Sequence, residues 1–116
     1  MAKFRFEDLE IWKEAIEIGM IFLDIADELE EKKLRRFADQ GRGVGMGIPN
    51  NISGSTGTNM RGEQHQFLRY SKRECFEGAN ILVMSNDVHS SPTNLKWKYL
   101  IALMFYAEEF NPIQIP

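Results

Sequence analysis

The chain has 116 residues, 43% of them hydrophobic and 27% charged, which is the composition of one globular domain. Its single cysteine, Cys75, excludes an internal disulfide and a thiolate-built metal cluster. The net charge of −3 hides an asymmetry: residues 1–31 carry −7, residues 32–73 carry +7 and residues 74–116 carry −3, so a polyanion has only the middle third to bind.

The first residues, MAKFRFEDLE, lack the apolar run of a signal peptide, and the longest apolar run, YLIALMFYA at 99–107, is about half of what spans a bilayer. A cytoplasmic protein without a membrane partner is expected. From about Asp8 to Glu31 the apolar residues recur at helical spacing in two adjacent stripes, Leu9, Trp12, Ile16, Met20, Leu23 and Ile11, Ala15, Ile18, Phe22, Ile25, Leu29. This predicts a long first helix with a broad buried face, stapled at its start by Phe6.

The second predicted helix, about Leu34 to Ile52, contains GRGVGMGIPNN at 41–51. The glycine spacing fails the dinucleotide fingerprint from every start, no Gly-Lys dipeptide exists, and no strand precedes it, so it is not a phosphate loop. As a helix it forms two small-residue tracks, Gly41 with Gly45 and Gly43 with Gly47, which admit another backbone. Each interior glycine costs about 1 kcal/mol against alanine, and Pro49 removes a donor and kinks the helix. Packing must therefore hold this segment. Asn51 is expected to satisfy the carbonyl that Pro49 frees.

A turn-forming stretch, SGSTGTN at 53–59, precedes a third helix from about Gly62 to Val88, with Leu68, Cys75, Ala79 and Leu82 near one line and Phe67, Phe76 and Val83 beside it. HSSPTN at 89–94 breaks the chain before a fourth helix, about Pro92 to Phe110. That helix is apolar all round, with Trp97, Ile101, Met104 and Phe105 on the side its own chain does not cover; these four are the candidate subunit interface. The expected fold is one all-α domain over 1–116, an antiparallel up-down four-helix bundle.

Chemistry-bearing residues are sparse. A carboxylate-bridged metal site wants Glu-x-x-His, and Glu63-Gln64-His65 is one residue short; His89 stands at a helix end. Cys75 lies on the apolar side of helix three as a core thiol, with no base in view. No catalytic residue, metal or cofactor is assigned, and a small-ligand or metal enzyme is the least favoured function. The basic set is Lys32, Lys33, Arg35, Arg36, Arg42, Arg61, Arg69, Lys72 and Arg73. The first four straddle the turn between helices one and two, and Arg69, Lys72 and Arg73 share one face at i, i+3 and i+4. All but Arg61 are taken as candidate nucleic-acid contacts. The alternative is that the basic segment pairs with the acidic first helix inside the fold.

Three stretches carry a family resemblance. FEDLEIWKEA (6–15) is similar to a Phe-x-Asp-Leu-x-Val/Ile-Trp opening, with Trp12 in place. GIPNNISGSTG (47–57) is similar to Ser-Ile-Pro-Ser-Asn-Ile-Ala-Glu-Gly, with Ile48, Pro49, Asn51 and Ile52 matching, and EQHQFLRYSKRECFEGANIL (63–82) resembles an aromatic-rich third helix leading to Glu77. Together they resemble bacterial four-helix-bundle proteins of the ribosomal-RNA intervening-sequence type. The resemblance implies a non-enzymatic bundle that assembles with itself as a ring, commonly a pentamer. A relative is the accessory protein of diversity-generating retroelements, which binds a reverse transcriptase and RNA or DNA through a basic surface. This chain departs where the family has Ile-Arg-Arg-Ala-Ala-Val-Ser: residues 41–47 are Gly-Arg-Gly-Val-Gly-Met-Gly, and only Arg42 remains of the basic pair.

Overall fold

In the computed structural model, residues 3–88 and Tyr106 are described. A 3-10 turn at Arg5–Asp8 leads into α1 (Glu10–Glu31), α2 (Arg35–Ser55) and α3 (Arg61–Val88). The described residues are all-α and contain no strand. The described residues form three helices, and the expected fourth, with Trp97, Ile101, Met104 and Phe105, falls outside them; of that segment Tyr106 alone is described, helical and buried.

α1 begins where Phe6 packs on Trp12, ring centroids 5.1 Å apart, as the staple predicts. It ends in a Schellman motif: the Leu34 amide donates to the Leu29 carbonyl at 2.9 Å and the Lys33 amide to the Glu30 carbonyl at 2.9 Å. Lys33 occupies the left-handed position of that motif, with φ of 67°, where glycine is the usual residue. α2 then runs back along α1, and α3 runs back along α2.

The glycines set the α1–α2 spacing. Gly19 and Gly45 face each other backbone to backbone: a methyl on Gly45 would lie 2.8 Å from the Gly19 carbonyl oxygen, and one on Gly19 would collide with the Gly45 carbonyl. The Gly45 carbonyl is the one that loses its helical donor to Pro49. It is directed at the Gly19 backbone of α1. Gly41 meets Ala26, Gly47 makes room for the Glu74 carboxylate and Gly43 faces open space. So α2 runs unbroken from Arg35 to Ser55 through Pro49 because neighbours hold it. Asn51 does not serve the Pro49-freed carbonyl as the sequence suggested; its side-chain amide donates to the Gly47 carbonyl at 2.9 Å, the acceptor one turn back on its own face.

α2 outlasts the sequence boundary by three residues. Ser53, Ser55 and Thr56 each donate a hydroxyl hydrogen bond to the carbonyl three residues earlier, which satisfies the helix end locally. On α3 the buried stripe is Leu68, Ser71, Cys75, Gly78, Leu82 and Ser85, half of it small residues. Ser71, fully buried, donates to the Ile48 carbonyl at 2.9 Å. Gly78 lets the Phe22 ring of α1 reach across to α3 beside Val44, so the core centres on Phe22, Val44, Ile48 and Ile52. Two assignments to the buried face are corrected. Ile16 and Met20 of α1 are exposed, Met20 by 55%, and so are Phe76 and Val83 of α3, Phe76 by 61%. Their hydrophobicity matches the helical period, yet the close Gly19–Gly45 crossing and the small-residue stripe of α3 are what face inward.

Candidate nucleic-acid interface

Electrostatics divide the basic residues into three groups. Lys32 and Lys33 follow α1 in the turn, and Arg35 and Arg36 open α2, all four exposed. Arg35 and Arg36 stand at the positive end of the α2 dipole, whereas Lys32 and Lys33 follow the negative end of α1. None of the four makes an ion pair with a described residue.

Arg42 belongs to the fold instead. Its guanidinium donates to Glu30 at 3.2 and 3.0 Å and to Asp27 at 2.9 Å, with Asp39 at 3.8 Å. These hydrogen bonds, Glu30 first and Asp27 second, hold its pKa further above the ordinary range. A guanidinium clamped by carboxylates of its own chain is not available to a phosphate, so Arg42 leaves the candidate set. Pairing of basic α2 with acidic α1 therefore holds for this residue, not for the segment as a whole.

The third group lies on α3. Arg69 and Arg73 are exposed and Lys72 half-buried, and none pairs with a described carboxylate. The Arg73 guanidinium stands 5.4 Å from the Tyr70 ring centroid, a cation–π contact. Ser71 lies opposite Ile48 and Gly78 opposite Val44, so Arg73 is level with about residue 47 of α2. That is about 18 Å along the bundle from Arg35 at 1.5 Å per residue. The fold does not merge the two basic clusters into one patch. Arg61, exposed at the start of α3, is farther still from the turn.

A groove of about 430 Å³ between α2 and α3 is lined by Gln40, Gly43, Val44, Glu74, Glu77, Asn80 and Ile81. Burial first, and then the neighbouring Glu77 carboxylate, push the Glu74 carboxyl above its usual range. Glu77, the third-helix family position, is exposed on the rim. A cleft of about 570 Å³ near the α2–α3 loop is bounded by Phe4, Phe6, Asn50, Ser53 and Thr56.

Cys75 is buried, and burial pushes its thiol up to about 12, which keeps it protonated at neutral pH. His65 Nε2 is enclosed, with no hydrogen-bond partner among the described residues. Among the described residues no group of three or more His, Cys, Asp or Glu is arranged to hold a metal ion, and no helix is long and apolar enough to cross a membrane.

Sequence reasoning missed the exposed side chains that accompany these charges. Tyr70 and Phe76 stand on the α3 surface beside Arg73, and Met46 is exposed on α2. The signal was present in the sequence: Arg69, Arg73 and Phe76 fall at i, i+4 and i+7, on the face opposite Leu68, Cys75 and Leu82.

Neither the curated proteins nor the solved structures compared with this chain gave a match. Among protein families, residues 7–97 match the 23S rRNA-intervening sequence protein, and the chain belongs to that family.

Proposed function

From membership of this family, we propose that the protein is a non-enzymatic helical bundle that associates with copies of itself and serves as an interaction scaffold. The observation that carries the reading is an uncovered apolar flank. Ile16, Met20 and Met46 are 36%, 55% and 56% exposed. Ile16 and Met20 precede Leu23, Asp27 and Glu30 on one stripe of α1, and Met46 follows Arg42 by one turn of α2. The Arg42 ion pairs and the contact of Gly45 with Leu23 put these stripes on the same side. Contiguous apolar surface of this kind is an interaction surface.

In this reading residues 92–110 form the fourth helix of an up-down bundle. Support comes from Tyr106, whose hydroxyl donates to the Ile11 carbonyl at 2.7 Å. Trp97, Ile101, Met104 and Phe105 add to the subunit contact, and the assembly is a ring, of five copies by the resemblance. No cofactor is required, and the protein acts in the cytoplasm. Light scattering of the purified chain at micromolar concentration tests this. An oligomeric mass that falls on Met20→Glu with Met46→Glu is expected; a monomeric wild type overturns the reading.

A second reading, a nucleic-acid accessory protein that works with RNA, DNA or a reverse transcriptase, is favoured by Arg69, Lys72 and Arg73 on α3, none of which pairs with a described carboxylate. Repetition of that face in an oligomer multiplies weak phosphate contacts, even for an acidic chain. Affinity for RNA that falls steeply with salt, and is lost on neutralising the three residues, is the expected result; no binding at low salt removes this reading.

A further inference from the structure

The outer face of α3 carries side chains that phosphate binding alone leaves unexplained. Arg69, Arg73 and Phe76 follow one another on one stripe, and Tyr70 stands beside Arg73. The opposite stripe, Leu68, Ser71, Cys75, Gly78 and Leu82, is buried, so this one faces away from the bundle. Phe76 is 61% exposed and Tyr70 37%. The Arg73 guanidinium already lies over the Tyr70 ring, and the Tyr70 hydroxyl accepts a hydrogen bond from the Gln66 side-chain amide at 2.6 Å, which fixes the ring. Of the nearby carboxylates, Glu74 is turned inward against Gly47, while Glu77 lines the α2 side of the helix.

We propose that this stripe is a stacking platform for single-stranded nucleic acid, an inference that rests on the second reading above and narrows it. Arginines interleaved with exposed aromatic rings hold the phosphates of a strand while its unpaired bases stack on the rings. The rise from Arg69 to Phe76 is about 10 Å at 1.5 Å per residue, the length of about three stacked nucleotides at 3.4 Å each. A duplex keeps its base faces stacked inside and offers this surface only phosphates. The platform therefore prefers a single strand to the same strand in a duplex.

Fluorescence anisotropy of the full chain with a labelled 15-nucleotide RNA strand, alone and annealed to its complement, tests this at low and moderate salt. The strand is expected to bind at least about tenfold tighter than the duplex, and Phe76→Leu to weaken strand binding by about tenfold with little effect on the duplex. Arg69→Gln with Arg73→Gln weakens both. Equal affinity for strand and duplex, or a Phe76→Leu variant that binds the strand as the wild type does, overturns the platform while nucleic-acid binding stands. A Phe76→Leu variant that changes the mass of the protein but not its affinity assigns Phe76 to contact with a second copy, and also overturns it. Binding of neither nucleic acid at low salt overturns this inference and the second reading together. Phe76 is exposed, and an unchanged helical circular dichroism spectrum separates loss of binding from loss of fold.

Discussion

Gly43 and Gly45 lie two residues apart on one helix and differ in what faces them. A methyl on Gly43 meets nothing within 4 Å, whereas one on Gly45 lies 2.8 Å from the Gly19 carbonyl oxygen and 3.2 Å from Phe22 Cβ. Gly43→Ala is therefore expected to stabilise by about 1 kcal/mol, the helix-propensity gain. Gly45→Ala has the same gain but must push two backbones apart, so a net loss of at least about 1 kcal/mol is expected. Urea titrations of the two variants should move in opposite directions; the same sign for both would mean that the crossing does not set the spacing. Lys33 offers a simpler test. It holds a left-handed conformation that costs a side-chain-bearing residue about 1–2 kcal/mol. Lys33→Gly should raise the melting temperature by a few degrees, partly offset by the greater freedom of glycine in the unfolded chain.

At the scale of elements, the α2–α3 interface is made of polar and small groups as well as apolar ones. Ser71 joins the helices through the Ile48 carbonyl, and Ser71→Ala should cost about 1 kcal/mol, seen as a lower urea midpoint at unchanged slope. Glu74 is a liability at neutral pH. Its carboxyl titrates above the ordinary value of 4.5, chiefly through burial and then through Glu77, so the folded chain binds that proton more tightly than the unfolded chain does. Its contribution to stability declines as pH rises from the unfolded value through the raised folded one. Glu74→Gln is thus expected to be more stable than wild type at pH 7 and no more stable below the ordinary carboxylate value; an equal difference at both pH values would argue against burial of the Glu74 carboxyl as the cause. These features mark the limit of the sequence. Periodicity located α1 to within two residues and α3 to within one, because long apolar stripes carry that information. It put Ile16, Met20, Phe76 and Val83 near the core because hydrophobicity alone cannot say which neighbour a helix face meets. Gly19, Ser71 and Gly78 form the actual contact lines, and small residues carry no hydrophobic signal. The α3 basic face was legible as spacing. The capture of Arg42 by α1 was not, since charge arithmetic gives a sum and not a pairing.

At the scale of the whole molecule, the charge asymmetry along the chain is only partly cancelled by folding. Arg42 is neutralised by α1, while the turn at Lys32–Arg36 and the α3 face stay positive about 18 Å apart on a chain of net charge −3. The other long-range feature is closure of the chain on itself. Tyr106 lies 95 residues from Ile11 in sequence, yet the residue is buried, 4% exposed, and its hydroxyl donates to the Ile11 carbonyl. Tyr106 is thereby fastened to the first turn of α1, one residue before the Trp12 that packs on Phe6. If that contact is part of one cooperative core, Tyr106→Phe, which keeps the ring and removes the hydroxyl, should cost about 1 kcal/mol. Tyr106→Ala should cost about 3 kcal/mol or more, with a single unfolding transition retained in both variants. A two-step transition in the wild type, or a Tyr106→Ala variant as stable as the parent, would mean that residues 3–88 hold together without the rest. In that case the fourth-helix part of the proposed bundle would be an appendage to a three-helix core, and the apolar flank of Ile16, Met20 and Met46 would have to support self-association by itself.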